Sequence, residues 1–129
     1  MSRVIAALML FGLLALPAFG QQDIERQKIA YLIDSVATLQ GATFIRNGTG
    51  YDAARAADHM RLKLRFAGSR VKTAEDFITY CGTGSSVSGT SYSIRFHDGR
   101  VVDSATYLRG KLDEYVLSHQ DQAPRPPVH

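Results

Sequence analysis

The sequence predicts an α+β domain, about four helices packed around a small antiparallel sheet. Three observations carry that reading. Apolar residues recur at helical spacing between Asp23 and Leu39, between Ala53 and Ala67 and again after Ser104. Short β-forming runs stand at Thr43-Phe44-Ile45-Arg46, Tyr92-Ser93-Ile94-Arg95-Phe96 and Val101-Val102. Tight-turn signals, Asn47-Gly48 and His97-Asp98-Gly99-Arg100, follow two of those runs.

Ahead of the domain, residues 1–20 read as a cleaved signal peptide. Ser2 and Arg3 give a short positive start, Val4 to Leu16 an apolar run, and Pro17-Ala18-Phe19-Gly20 small residues for cleavage after Gly20. The run is well short of the roughly 20 residues that span a bilayer. The expected location is therefore periplasmic or secreted, with no stable membrane anchor after cleavage. The single domain is expected over residues 21–118.

The first helix, Asp23 to Leu39, places Ile24, Tyr31, Leu32, Val36 and Leu39 at apolar positions and is stopped by Gly41. A strand and a sharp turn follow at 43–48. Asp52 is placed to cap a second helix, Ala53–Ala67, which Gly68 ends in a left-handed conformation. Ala53, Ala57, Met60 and Leu64 share one stripe of it, with Leu62 and Phe66 nearly opposite beside Arg55 and His59, so cover on two sides is expected. Thr73-Ala74-Glu75-Asp76 opens a short third helix with a near-capping-box, planted on the core by Phe77, Ile78 and Tyr80. A Gly/Ser/Thr loop, 82–91, leads to the Tyr92 hairpin. Asp103 or Ser104 caps the last helix, whose Tyr107, Leu108, Leu112, Tyr115 and Val116 form its apolar side. The first and last helices are expected to pack together. Residues 119–129 hold three of the four prolines and are read as a disordered tail.

Composition excludes more than it assigns. With Arg3 in the leader, 14 of the 15 basic side chains remain against 12 acidic ones, far from the asymmetry of nucleic-acid binders, so no nucleic-acid partner is expected. Cys81 is the one cysteine, which forbids an intrachain disulfide and fits a small buried apolar residue. His59, His97, His119 and His129 lack metal-ligand spacing, so neither metal nor cofactor is expected. Ser69-Arg70-Val71-Lys72 matches a serine-x-x-lysine pattern but lacks the further groups that chemistry needs. Gly84 to Ser91 has the glycines of a phosphate loop without its lysine, and it precedes a strand rather than a helix. Asn47-Gly48-Thr49 fits a glycosylation acceptor, although a turn explains it better. The basic run Arg55, Arg61, Lys63, Arg65, Arg70 and Lys72 does not share one face and reads as solvated surface, with an anionic ligand as the alternative.

Several ordered motifs together carry a family resemblance: Phe44-Ile45-Arg46-Asn47-Gly48, Tyr51 with Ala56-Ala57-Asp58-His59-Met60-Arg61-Leu62-Lys63, Thr73-Ala74-Glu75-Asp76-Phe77-Ile78, and Ser85-Ser86-Val87-Ser88-Gly89 with Tyr92. From about Gln27 to Tyr115 the chain resembles the YfeK-like family of small exported proteobacterial proteins, a domain of unknown function. The resemblance implies export and domain extent and supplies no catalytic or binding residues.

The leading functional reading is a non-enzymatic periplasmic or secreted binding or interaction domain, its ligand a cell-envelope sugar, peptide or anion. Arg46, Asn47, Tyr51, His59, Ser86 and Ser88 are its candidate surface: planar charged donors, an aromatic contact and hydrogen-bonding groups. The same residues serve equally as pins holding turn and loop to the second helix. Two other classes stand beside this one: a small thiol or serine hydrolase using Cys81 or a loop serine with His59, and an envelope assembly or stress partner acting through the apolar faces of its terminal helices.

Overall fold

A computed structural model of the chain describes residues 16–85 and 88–120, with side chains from Gly20 onward. Helix α1 (Leu16–Ala37) precedes strands β1 (Thr43–Arg46) and β2 (Thr49–Tyr51) and helix α2 (Ala53–Ala67). A 3-10 turn (Gly68–Arg70) leads to the short helix α3 (Ala74–Phe77), which widens into a π-helical turn (Ile78–Gly82). Strands β3 (Ser93–Arg95) and β4 (Val101–Asp103) and helix α4 (Ser104–His119) complete the α+β architecture.

The sheet is antiparallel throughout, in the order β2-β1-β3-β4. Each outer pair is a local hairpin. Asn47 (φ 51°) and Gly48 (φ 77°) both occupy the left-handed region, so Arg46-Asn47-Gly48-Thr49 is a two-residue hairpin turn whose twist suits the flanking strands. This explains the Asn-Gly pair and adds β2, a strand too short, and too weak at Gly50, to stand out in the sequence. The β3–β4 hairpin forms as predicted, with Ile94 opposite Val102 and Gly99 (φ 87°) in its turn. Pairing of Phe44 with Ile94 then joins the two hairpins, and both side chains are buried.

Helix α2 has its predicted bounds: the Asp52 carboxylate accepts the Arg55 amide at 2.8 Å, and Gly68 (φ 54°) ends the helix. Ala57 and Met60 face α1, whose Ile29, Leu32, Ile33 and Val36 form much of the core. The opposite stripe departs from expectation. His59 on it is partly buried against the sheet, whereas Leu62 and Phe66 are 41% and 78% exposed, so the second cover is missing there.

At Thr73 the near-capping-box is a complete one. The Thr73 hydroxyl accepts the Asp76 amide at 3.0 Å, and the Asp76 carboxylate accepts the amides of Lys72 (3.0 Å) and Thr73 (3.2 Å), which hold it below the usual carboxylate range. From α1, Glu25 reaches across to accept the Ala74 amide at 2.8 Å. The π-helical turn was not legible in the sequence. Thr83 Oγ1 donates to the Ile78 carbonyl at 2.6 Å, and the wider turn swings Gly82 into the stripe of Phe77, Ile78 and Cys81, all buried. Tyr80 is left 46% exposed beneath Arg70, not planted on the core.

Other boundaries shift. Helix α1 is already formed at Leu16, the first described residue, well ahead of the expected Asp23, and Gly20 alone does not stop a helix. Asp103 precedes α4 without a side-chain cap bond, and the Ser104 hydroxyl is buried with no partner among the described residues. Helices α1 and α4 do pack together. Tyr107 donates to the Ser35 carbonyl at 3.1 Å, Tyr115 donates to Gln27 at 3.4 Å, and Tyr31 lies against Tyr115 with ring centroids 5.0 Å apart. Val116 turns outward. His119 is the last residue of α4, stacked on Tyr115, and the remainder of the predicted tail, 121–129, lies outside the described residues.

Removing the cap at Thr73 should test how firmly α3 is held. Thr73→Ala is expected to lower stability by about 1 kcal/mol in urea unfolding, with Thr73→Ser restoring most of it.

Candidate functional site

Alternation along the strands decides which side chains meet α2. Phe44 and Arg46 share one face of β1, and Tyr92 and Ile94 share the matching face leading into β3. Continuing the register, Arg46 stands opposite Tyr92. Tyr51 lies across from Phe44 on β2. Together with Ile45, Arg55, Ala56, His59 and Met60 these residues line a largely apolar pocket of about 250 Å³ between sheet and helix.

Its polar groups are tied to one another. Arg46 Nη1 lies 2.9 Å from His59 Nδ1 and 2.8 Å from Nε2, and His59 Nε2 lies 3.3 Å from Tyr92 Oη. Arginine only donates, so the bonded ring nitrogen must offer a lone pair and the imidazole must be neutral. One nitrogen accepts from Arg46. If that is Nδ1, Nε2 carries the proton and donates to Tyr92 Oη, which also accepts from Lys63 Nζ at 3.1 Å. Lys63 further donates to the Gly84 carbonyl at 2.8 Å, fastening the serine loop to α2. Burial, then the charges of Arg46 and Lys63, lower the His59 pKa below 6.5. The aromatic faces share the load: the Arg46 guanidinium is 5.5 Å from the Tyr51 ring centre and the Lys63 ammonium 5.0 Å from that of Tyr92.

Of the six residues singled out from sequence, Arg46, Tyr51 and His59 meet at this pocket. Asn47 and Ser88 meet each other instead, the Ser88 hydroxyl donating to Asn47 Oδ1 at 2.6 Å, so they strap the turn to the loop. Ser86 lies outside the described residues. Sequence reasoning missed Tyr92, read as a strand residue, and Arg55 and Lys63, read as solvated charge. The Asn-Gly hairpin was the available signal: it fixes which face of β1 carries Arg46, and helical spacing sets Arg55 and His59 one turn apart toward it.

The chemistry at Cys81 disfavours the thiol alternative. Cys81 is fully buried and burial pushes its thiol up, against a smaller opposing effect of Lys63, so no thiolate is at hand. Among the described residues no hydrogen bond joins His59 to Cys81 or Ser88, and the His59 lone pair is already taken by Arg46. Tyr107 and Tyr115 are occupied inside the α1–α4 contact, so the terminal helices offer no free apolar face through them. Among the described residues no three His, Cys, Asp or Glu side chains gather to hold a metal ion, and no helix is long and apolar enough to cross a membrane.

Fold and site together define a small α+β domain with a cation-rimmed apolar pocket between its sheet and second helix. The chain belongs to the family described as "Family of unknown function (DUF5329)", which matches residues 23–116. It is similar to "Uncharacterized protein YfeK" of Salmonella typhimurium, with 33% identity over 93 residues, 71% of this chain and 77% of that protein. The YfeK-like resemblance of the motifs is thus upheld. No solved structure matches the chain.

Because the folded state keeps His59 neutral, its contribution to stability is complete above the unfolded value of 6.5 and is lost as pH falls from there toward the lowered folded value. His59→Gln should flatten that part of the stability profile, read by urea unfolding across pH 4.5–8, roughly the window in which histidine titrates.

Proposed function

We propose that the chain is a non-enzymatic ligand-binding domain that works in the periplasm or outside the cell, with the sheet–α2 pocket as its binding site. One observation carries this reading: Arg46 and Arg55 line the pocket, Lys63 stands behind its Tyr92 wall, and among the described residues none of the three has a carboxylate within 4.0 Å. Arg46 and Lys63 are partly buried while Arg55 is exposed at the rim; partly buried cations without counter-charge are costly in the free protein, and an anion entering the pocket relieves that cost. Lining chemistry narrows the ligand. Sugar hydroxyls need many polar partners, whereas here the wall is mainly Phe44, Tyr51, Ala56 and Met60 and the polar groups are engaged with each other. Asn47 and Ser88 then support the rim rather than touch ligand.

Export rests on the leader, and the packing of α1 is compatible with it. Residues 20–24 are exposed, and among the described side chains the buried face of α1 starts at Ile29, beyond the expected cleavage point. Expressed with its leader in a Gram-negative host, the protein should be recovered from the periplasmic fraction with Gln21 as its first residue; retention in the cytoplasm with residues 1–20 intact would overturn the location.

Binding is tested by thermal unfolding of the purified protein against small acids, short peptides, cell-wall fragments and lipid headgroups. A ligand at 100 times its dissociation constant adds about 2.7 kcal/mol, a shift of several degrees for a domain this size. The shift should vanish in Arg46→Gln and persist in Cys81→Ala. A flat response across the panel would remove the pocket from consideration as a ligand site.

A further inference from the structure

The rim of the pocket offers a narrow kind of recognition. The Ala53 and Ala54 amides that open α2 are not part of the pocket lining, and of the first-turn residues that do line it, Arg55 N donates to the Asp52 carboxylate at 2.8 Å and Ala56 N to the Asp52 carbonyl at 3.0 Å. What remains are guanidinium forks. Arg46 has five N–H donors and spends one nitrogen on His59, while no hydrogen bond or ion pair of the Arg55 guanidinium appears among the described residues. A planar fork without backbone donors suits a planar two-oxygen anion better than a phosphoryl group with three charged oxygens. Behind the rim, the wall of Phe44, Tyr51 and Met60 is apolar.

Resting on the pocket being a binding site, we infer that its ligand is a small amphipathic carboxylate. The charged end sits between Arg46 and Arg55. The apolar body, limited by the volume of about 250 Å³, has roughly eight non-hydrogen atoms, taking about 30 Å³ for each. Two sources share this chemistry: a free medium-chain or aryl acid, and the C-terminal carboxylate of a peptide ending in an apolar residue.

Calorimetric titration of the full chain distinguishes them. The probes are octanoate with octanamide, and N-acetyl-Ala-Phe as free acid with its C-terminal amide. At least one acid should bind, its amide should be tenfold weaker or more, and Arg55→Gln should cost the acid roughly tenfold or more, the weight of one charge-assisted hydrogen bond, without moving the melting temperature. Octanoate binding alone assigns a free acid, and peptide binding alone assigns a C-terminus. Equal affinity for acid and amide overturns the carboxylate and leaves the pocket reading intact. Acid binding unchanged by both Arg55→Gln and Arg46→Gln places the ligand elsewhere and overturns both. If neither acid binds while another class shifts the melting temperature, the carboxylate falls and the binding site stands.

Discussion

The pairing of β1 with β3 is the contact on which the other features depend. A lone two-stranded hairpin is marginal in water, and each hairpin here has strands of only three or four residues. Joined through Phe44 and Ile94, they become one sheet with a continuous apolar face for α2 to cover. The same register sets Arg46 against Tyr92, while the β1–β2 hairpin brings Tyr51 beside Phe44. A slip of one residue would turn Phe44 and Arg46 to solvent together, losing core and pocket at once. Stability and recognition geometry therefore rest on a single alignment.

Electrostatics at the pocket runs against folding. Burial first, and then the charges of Arg46 and Lys63, favour the neutral His59 ring, so it does not add a third charge. Aromatic faces at Tyr51 and Tyr92 soften the remaining repulsion without neutralising it. A core built for stability alone would place an acid here, as α1 does when Glu25 receives Lys28 and the Ala74 amide. That contrast within one molecule is what motivates the proposal of a binding site at the pocket.

How much was legible follows from how local each determinant is. Asp52 and Gly68 bound α2, Thr73 opens α3, and the Tyr92 hairpin is closed by its own turn, all within a few residues, and all were readable. Arg46, Tyr51 and His59 could be chosen as candidates because chemistry and a nearby turn singled them out. Tyr92, Lys63 and Arg55 join them only through the β1–β3 register and the course of α2 along the sheet, which no short window contains. The π-helical turn escaped for a related reason: its cause is the fit of Gly82 and Cys81 against α4, not an intrinsic preference of Ile78 to Gly82. Leu62 and Phe66 misled in the other direction, since periodicity reports an apolar face without saying whether anything lies over it.

Residues 44 and 94, whose pairing closes the sheet, are fifty positions apart in the chain, while the two turns, the α2 cap and the capping box each form within four. Loop-closure entropy separates these events in time. Helices and hairpins can flicker into being early, but the central pairing must wait until much of the intervening chain is already compact. The pocket, walled from both sides of that pairing, thus has no partial version earlier in folding. Under the proposed binding role, occupancy would be tied to completion of the whole architecture, so a chain that has not finished folding would not sequester a ligand.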